Sequence, residues 1–186
     1  FKAVTELIQA YHAGEISAEV FYQLVNDMLQ DSRTQMRMMA VTAAGSTPSV
    51  RSFSTLAELV KNEPFQSPIR ADANTYLASY ATLSNLNVLE AVLKSDSETV
   101  STYTMILAVE RLDRAARSYM GREVSGESSE PSPPKGEVQQ LSQTQLQFQR
   151  FVKVLEDFIA SNPDPAAASS AQKTLSSINS LLVVSN

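Results

Sequence analysis

The stretch "QMRMMAVTAA" (35–44) decides how the rest of the chain is read. It does not alternate with period two, and Met36, Met39, Ala40 and Ala43 share one face at helical spacing. Its weight comes from recurrence. Aligned with "AVTELIQAYH" (3–12), "PIRADANTYL" (68–77) and "TVSTYTMILA" (99–108), it puts Val4, Met36, Ile69 and Val100 in one column, at steps of 32, 33 and 31 residues. Small or apolar residues follow in each case: Ile8 and Tyr11; Ala40, Ala43 and Ala44; Ala73, Tyr76 and Leu77; Thr104, Leu107 and Ala108. Each helix of this kind precedes a more amphipathic one, as in "LAELVKN" (56–62) and "LEAVLKS" (89–95). The pattern is one helix hairpin used repeatedly. Small residues let neighbouring hairpins approach, and each hairpin buries the face its neighbour leaves open.

Helix punctuation agrees. Gly14 stops a helix that starts near Lys2, since glycine tolerates the left-handed conformation of a helix end. Ser17 caps a second helix to about Gln30, with Val20, Phe21, Leu24, Val25, Met28 and Leu29 as its apolar side. Asp31 caps a third, ending near Gly45. Thr47-Pro48 opens a fourth to Asn62 and Ser67-Pro68 a fifth, each a cap followed by proline at the first helical position. Ser84 caps a sixth to Ser95, and Ser97 or Asp96 a seventh to about Met120.

The composition then changes. "GREVSGESSEPSPPKG" (121–136) reads as a Ser/Pro-rich linker or long loop. Residues 137–160 are helical again, with Leu141, Phe148, Phe151, Leu155 and Phe158 in one apolar stripe flanked by glutamines. "NPDP" (162–165) ends that helix, and a last one carries Ala171, Leu175, Ile178 and Leu182. A stripe this wide is expected to dock; a helical dimerisation surface is the other reading. The expectation is an all-α chain of about nine helices: repeats over 1–120, a linker over 121–136, and a C-terminal helix pair over 137–186 docking on or capping them.

The spacing Asp–x4–apolar–Arg–x–x–Ala, present as Asp31, Met36, Arg37 and Ala40, resembles the HEAT-like repeat. "IRADA" (69–73) matches in part, with Ser67 where the acid would stand; Thr5 and Ser101 replace the arginine in the other two units. The resemblance covers residues 1–112. It implies a right-handed α-solenoid of antiparallel helix pairs whose second helices line a concave binding face. An irregular helical bundle with a chance periodicity is the alternative architecture.

Composition narrows the chemistry. A formal charge of −5 disfavours nucleic-acid binding by bulk electrostatics. Zero cysteines exclude disulfides and thiol chemistry, and a single histidine, His12, leaves little for zinc. No apolar run approaches the roughly 20 residues of a spanning helix. A start at Phe1 rather than Met reads as a processed or truncated product, with room for a signal peptide or anchor upstream. The Ser, Thr and Gln content leans toward a bacterial extracytoplasmic setting. Glycine-rich phosphate loops and a Gly-x-Ser-x-Gly elbow are absent. The carboxylates, among them Glu19, Asp27, Asp31, Glu58, Glu63, Asp72, Glu90, Asp96 and Glu98, are spread over different helices with no pair singled out. No catalytic residue, metal or cofactor is expected.

Binding surfaces remain. Gln23, Asn26 and Gln30, then Arg51, Thr55 and Glu58, then Asn87, Glu90 and Lys94 are polar positions of the second helices, which align as a ribbon if the hairpins stack. Such a surface suits a protein or peptide. "ERLDRAARSYMGR" (110–122) carries Arg111, Arg114, Arg117 and Arg122, a patch for phosphate or an acidic partner. Its Glu110–Arg114 and Asp113–Arg117 spacings also suit a plain exposed helix. Met36, Met38 and Met39 fit core packing or an adaptable surface, and "PSPP" (131–134) a stiff spacer or an aromatic-groove ligand. The functional expectation is a non-catalytic protein- or peptide-binding scaffold. The alternative is a HEAT-like enzyme or nucleic-acid-processing domain with an acid in a basic groove.

Overall fold

Helix is the only regular structure among the described residues. The computed structural model describes residues 2–96, 98–124, 135–162 and 164–184. In chain order the helices are α1 (Lys2–His12), α2 (Ala18–Leu29), α3 (Thr34–Gly45), α4 (Val50–Asn62), α5 (Pro68–Ala78), α6 (Leu86–Leu93), α7 (Thr102–Val124), α8 (Lys135–Ser161) and α9 (Pro165–Val184), with a 3-10 turn at Leu83–Asn85. They form two compact units, Phe1–Ser79 and Tyr80–Asn186. The division falls inside the stretch whose periodicity reads as one run of repeats.

In the first unit α3 packs against α1, α2, α4 and α5. Its buried residues are Met39, Ala40, Val41, Ala43, Ala44 and Gly45, so four neighbours approach a helix whose C-terminal half is largely made of small residues. The closest approach is at Gly45, where a Cβ would lie 2.2 Å from Cγ of Tyr76 on α5. Of the repeat column, Val4 and Ile69 are buried here and Met36 is half-buried; Val100 is buried in the second unit. Helices α1 and α2 meet through aromatic rings, with Tyr11 stacked on Phe21 at 4.4 Å between centroids and Phe21 edge-on to Tyr22.

Several local expectations are corrected. On α2, Phe21, Tyr22 and Val25 are buried, whereas Val20 (49%) and Leu24 (41%) are exposed. The helix turns a narrower stripe inward than its apolar positions allow. Gly14 does adopt φ +74°, and Ser17 does cap α2 by accepting from the Val20 amide. Asp31 is not the cap of α3; its carboxylate accepts from the Arg33 amide at 2.8 Å in the preceding turn. Thr47 is not the cap of α4 either. Its hydroxyl donates back to the Ala43 carbonyl at 3.0 Å, and Ser49 accepts from the Ser52 amide instead. Helix α7 starts later than expected, with Asp96 accepting from the Thr99 amide in a turn and Ser101 accepting from Thr104. Ser97 lies outside the described residues.

In the second unit α9 packs against both α7 and α8, and α6 against α7 and α8. Phe148, Phe151, Leu155 and Phe158 of α8 are buried, as are Ala167, Ala171, Leu175, Ile178 and Leu181 of α9. The two terminal helices thus pack on α6 and α7 within this unit. The phenylalanine stripe is buried within the unit. Leu181 rather than Leu182 is the buried leucine of the last turn. Helix α7 continues to Val124 and α8 begins at Lys135, so helix takes in both ends of the expected linker. "PSPP" and the side chains of Arg122 and Leu141 lie outside what is described.

Gly45→Ala must push the Tyr76 ring away at its base, where it cannot swing clear. Overpacking of this kind costs about 1–3 kcal/mol. Urea unfolding should show a lower midpoint with an unchanged slope; an unaltered midpoint would refute the tight fit.

Candidate functional site

Two grooves collect the polar residues of interest, one in each unit. In the first unit α2 and α4 both pack on α3 and are linked to each other by side chains. Near their N-terminal ends the Tyr22 hydroxyl hydrogen-bonds Ser52 Oγ at 2.8 Å and also Ser49 Oγ, and the Arg51 guanidinium sits 4.8 Å from the Tyr22 ring centroid. Toward their C-terminal ends Leu29 and Gln30 of the α2 side face Thr55, Glu58 and Asn62 of α4 across a groove of about 470 Å³. N-terminal end meets N-terminal end and C-terminal end meets C-terminal end, so α2 and α4 run parallel. Gly45 against Tyr76 matches the C-terminal ends of α3 and α5 in the same way.

Of the residues expected to bind a partner, Gln30, Thr55 and Glu58 are brought together in this groove. Gln23 and Asn26 are exposed farther along α2, with Gln23 donating to Asp27 at 2.9 Å, and Arg51 is exposed beside Tyr22. Asn87 and Glu90 stand on α6 in the second unit and Lys94 is its C-cap, where Glu90 and Lys94 form an ion pair.

The groove is closed at one end by residues whose pairing sequence reasoning missed. Arg37 donates through Nε to the carbonyl of Leu29, the last residue of α2, at 3.1 Å, and through Nη2 to the Glu63 carboxylate. Arg70 donates to the carbonyl of Glu63, the C-cap of α4, at 3.1 Å. Each arginine thus closes the helix before it, where unpaired carbonyls concentrate partial negative charge. Ser67 donates to the other Glu63 oxygen at 2.9 Å. The signal was present, since Arg37 and Arg70 each follow a residue of the repeat column. The motif's own acid, Asp31, pairs with Arg33 rather than Arg37, through Nε at 2.9 Å and Nη2 at 2.7 Å. That hydrogen bonding holds the Asp31 carboxyl down at about 2.

The second groove, about 360 Å³, lies between α7 and α9 and is lined by Arg114, Arg117, Glu110 and Asp113 on one side and Ser170 and Lys173 on the other. Arg117 binds Asp113 at 2.6 Å, as its spacing predicted. Arg111 is corrected: it is 5% exposed and does not belong to the surface. Burial lowers its pKa, and the neighbouring charge of Arg114 adds to the effect. Among the described residues no three His, Cys, Asp or Glu side chains are grouped to hold a metal, and no helix is long and apolar enough to cross a membrane.

Comparison with protein-family models, with curated proteins and with solved structures found no match.

Two outcomes follow from this geometry. Tyr22→Phe removes the hydroxyl that joins α2 to α4, while Ser52 keeps its 2.6 Å bond to the Thr47 carbonyl. The loss should be about 1–2 kcal/mol in thermal unfolding; no loss would mean the bridge is idle. Arg33→Gln should raise the Asp31 midpoint from about 2 toward 3.8, as followed by carboxyl carbon NMR. A depressed carboxyl pKa stabilises the fold above 3.8 and ceases to do so as pH falls toward 2. Acid unfolding of the variant should therefore lack the slope that this group gives the wild type over that window.

Proposed function

We propose that this chain is a non-catalytic scaffold that binds a peptide segment of a protein partner along the α2–α4 face. The observation carrying this reading is the parallel pairing of α2 with α4, backed by the parallel pairing of α3 with α5, which leaves an open groove of about 470 Å³. Two hairpins related by translation are the elementary step of a solenoid, and a right-handed HEAT-like arrangement of antiparallel helix pairs is the architecture we infer for the repeats. The matching roles of Arg37 and Arg70 support it, each closing the helix before its own.

The groove is shallow and mixed in character. Half-buried Leu29 and Leu59 supply apolar surface, while Gln30, Thr55 and Asn62 supply donors and acceptors suited to a peptide backbone. Its carboxylates are already engaged, Glu58 by Asn62 at 3.3 Å and Glu63 by Arg37 and Ser67. Such groups hold shape; a general acid or base needs freedom to exchange its proton with a substrate. The net charge of −5 further favours a protein partner over nucleic acid.

The test is selection of a random peptide library on the full chain, with each winner measured again on Thr55→Arg, a substitution that fills the groove from a half-buried position. Peptides that bind the wild type should lose roughly tenfold or more on the variant while its circular dichroism is unchanged. Winners indifferent to Thr55→Arg would move the binding face elsewhere, and a library yielding none would leave the groove without this role.

A further inference from the structure

The groove between α7 and α9 concentrates positive charge on an otherwise acidic chain. Arg114 and Arg117 are one turn apart on α7, and Ser170 and Lys173 one turn apart on α9, so four side chains converge from two facing helices. Their charges do not cancel evenly. Asp113 is taken by Arg117. Glu110 offsets the buried charge of Arg111 beside it. Arg114 and Lys173 are left exposed, each without a hydrogen bond or ion-pair partner among the described residues, and Ser170 likewise has its hydroxyl uncommitted. With Arg111 buried behind the wall, four cations stand against the carboxylates Glu110 and Asp113, a surplus of two positive charges beside one free hydroxyl donor.

We propose that this groove is a binding site for a doubly charged, phosphate-type oxyanion, held by the Arg114 guanidinium, the Lys173 ammonium and the Ser170 hydroxyl. A phosphate monoester near neutral pH carries close to two negative charges and several strong acceptor oxygens, which matches the surplus in both charge and donor number. A single carboxylate would leave one cation uncompensated. Arg117, paired with Asp113 at 2.6 Å and reaching Ser177 at 3.5 Å, is already engaged and borders the groove rather than serving as a ligand. The site is separate from the α2–α4 groove, and neither proposal rests on the other.

Isothermal titration calorimetry on the full chain at low ionic strength tests it with three probes: inorganic phosphate, a phosphoserine peptide, and the same peptide with glutamate in place of phosphoserine. Wild type should bind at least one phosphate probe saturably and more tightly than the glutamate peptide. Saturation by inorganic phosphate as tight as by the phosphopeptide assigns a free ion, and a tighter phosphopeptide assigns a group carried on a partner. Arg114→Gln with Lys173→Gln should weaken binding by roughly tenfold or more. Both positions are exposed, so the fold should survive, and Arg114→Lys with Lys173→Arg should retain binding because the charges stay. Lys153→Gln, on the exposed face of α8, controls for bulk charge and should change nothing. No saturable binding by either phosphate probe, equal affinity for the glutamate peptide, or an equal loss in Lys153→Gln would each overturn the proposal.

Discussion

The first unit depends on how closely backbones approach α3. Ala40, Ala43 and Ala44 have no accessible surface to lose, Gly45 is buried with them, and none has much side chain to move, so the neighbouring helices are positioned by near contact with the helix itself. Interiors packed at crystal-like density transmit such constraints without slack. The Tyr76 ring lying on Gly45 sets where the C-terminal end of α5 can be, and α5 in turn carries Arg70 back to the end of α4. A helix of this composition has almost no amphipathic asymmetry. Its stability comes from being surrounded, as expected of a helix buried on most sides.

Polar interactions complete what packing begins. Tyr22 joins α2 to the start of α4, while Arg37 and Glu63 join the end of α2 to the end of α4. The two helices are thus tied at both ends, and the groove between them is held open by groups that are already satisfied. Buried or half-buried polar groups in this state specify one register, because any slip would leave donors and acceptors unmatched. In the second unit the same task falls largely to apolar packing, with α9 filling the space against α7 and α8 and the buried Thr174 hydroxyl reaching the Val109 carbonyl at 3.4 Å.

The all-helical class and most helix centres were legible because Gly14, Ser17, Pro68 and the apolar periodicities act locally. Helix starts were less so. Thr47, Ser49 and Ser52 all carry hydroxyls suited to a cap, and the residues around them divide the work: Thr47 bonds back to Ala43, Ser52 to the Thr47 carbonyl and Tyr22, and Ser49 is left to cap α4. Val20 and Leu24 show the limit of periodicity: an apolar stripe states what could be buried, and only the neighbours decide how much of it is. Arg111 failed in the opposite direction. It shares a face with Ala108, Ala115 and Tyr119, all buried, and its long stem follows them inward. Gln30, Thr55 and Glu58 were found together because they follow from helical spacing once α2 and α4 are neighbours. The partnership of Arg37 with Glu63 was not, because the acid nearest in sequence, Asp31, is taken by Arg33.

Glu63 has a consequence for how the chain can vary in length. Its carboxylate holds Arg37 and Ser67 while its carbonyl holds Arg70, so the turn between α4 and α5 is anchored on both sides of Pro64, Phe65 and Gln66. Phe65, 86% exposed, projects from a turn whose backbone path is nonetheless fixed. An inserted or deleted residue here would detach one anchor or the other and shift α5 against Gly45. The turn around Gly14 is held only locally, by the Gly14 and Glu15 amides donating to the Tyr11 and Ala10 carbonyls of α1, and among the described residues no side chain ties residues 13–16 to another helix. A change of length is therefore better accommodated between α1 and α2 than between α4 and α5, although both connections are short and on the surface.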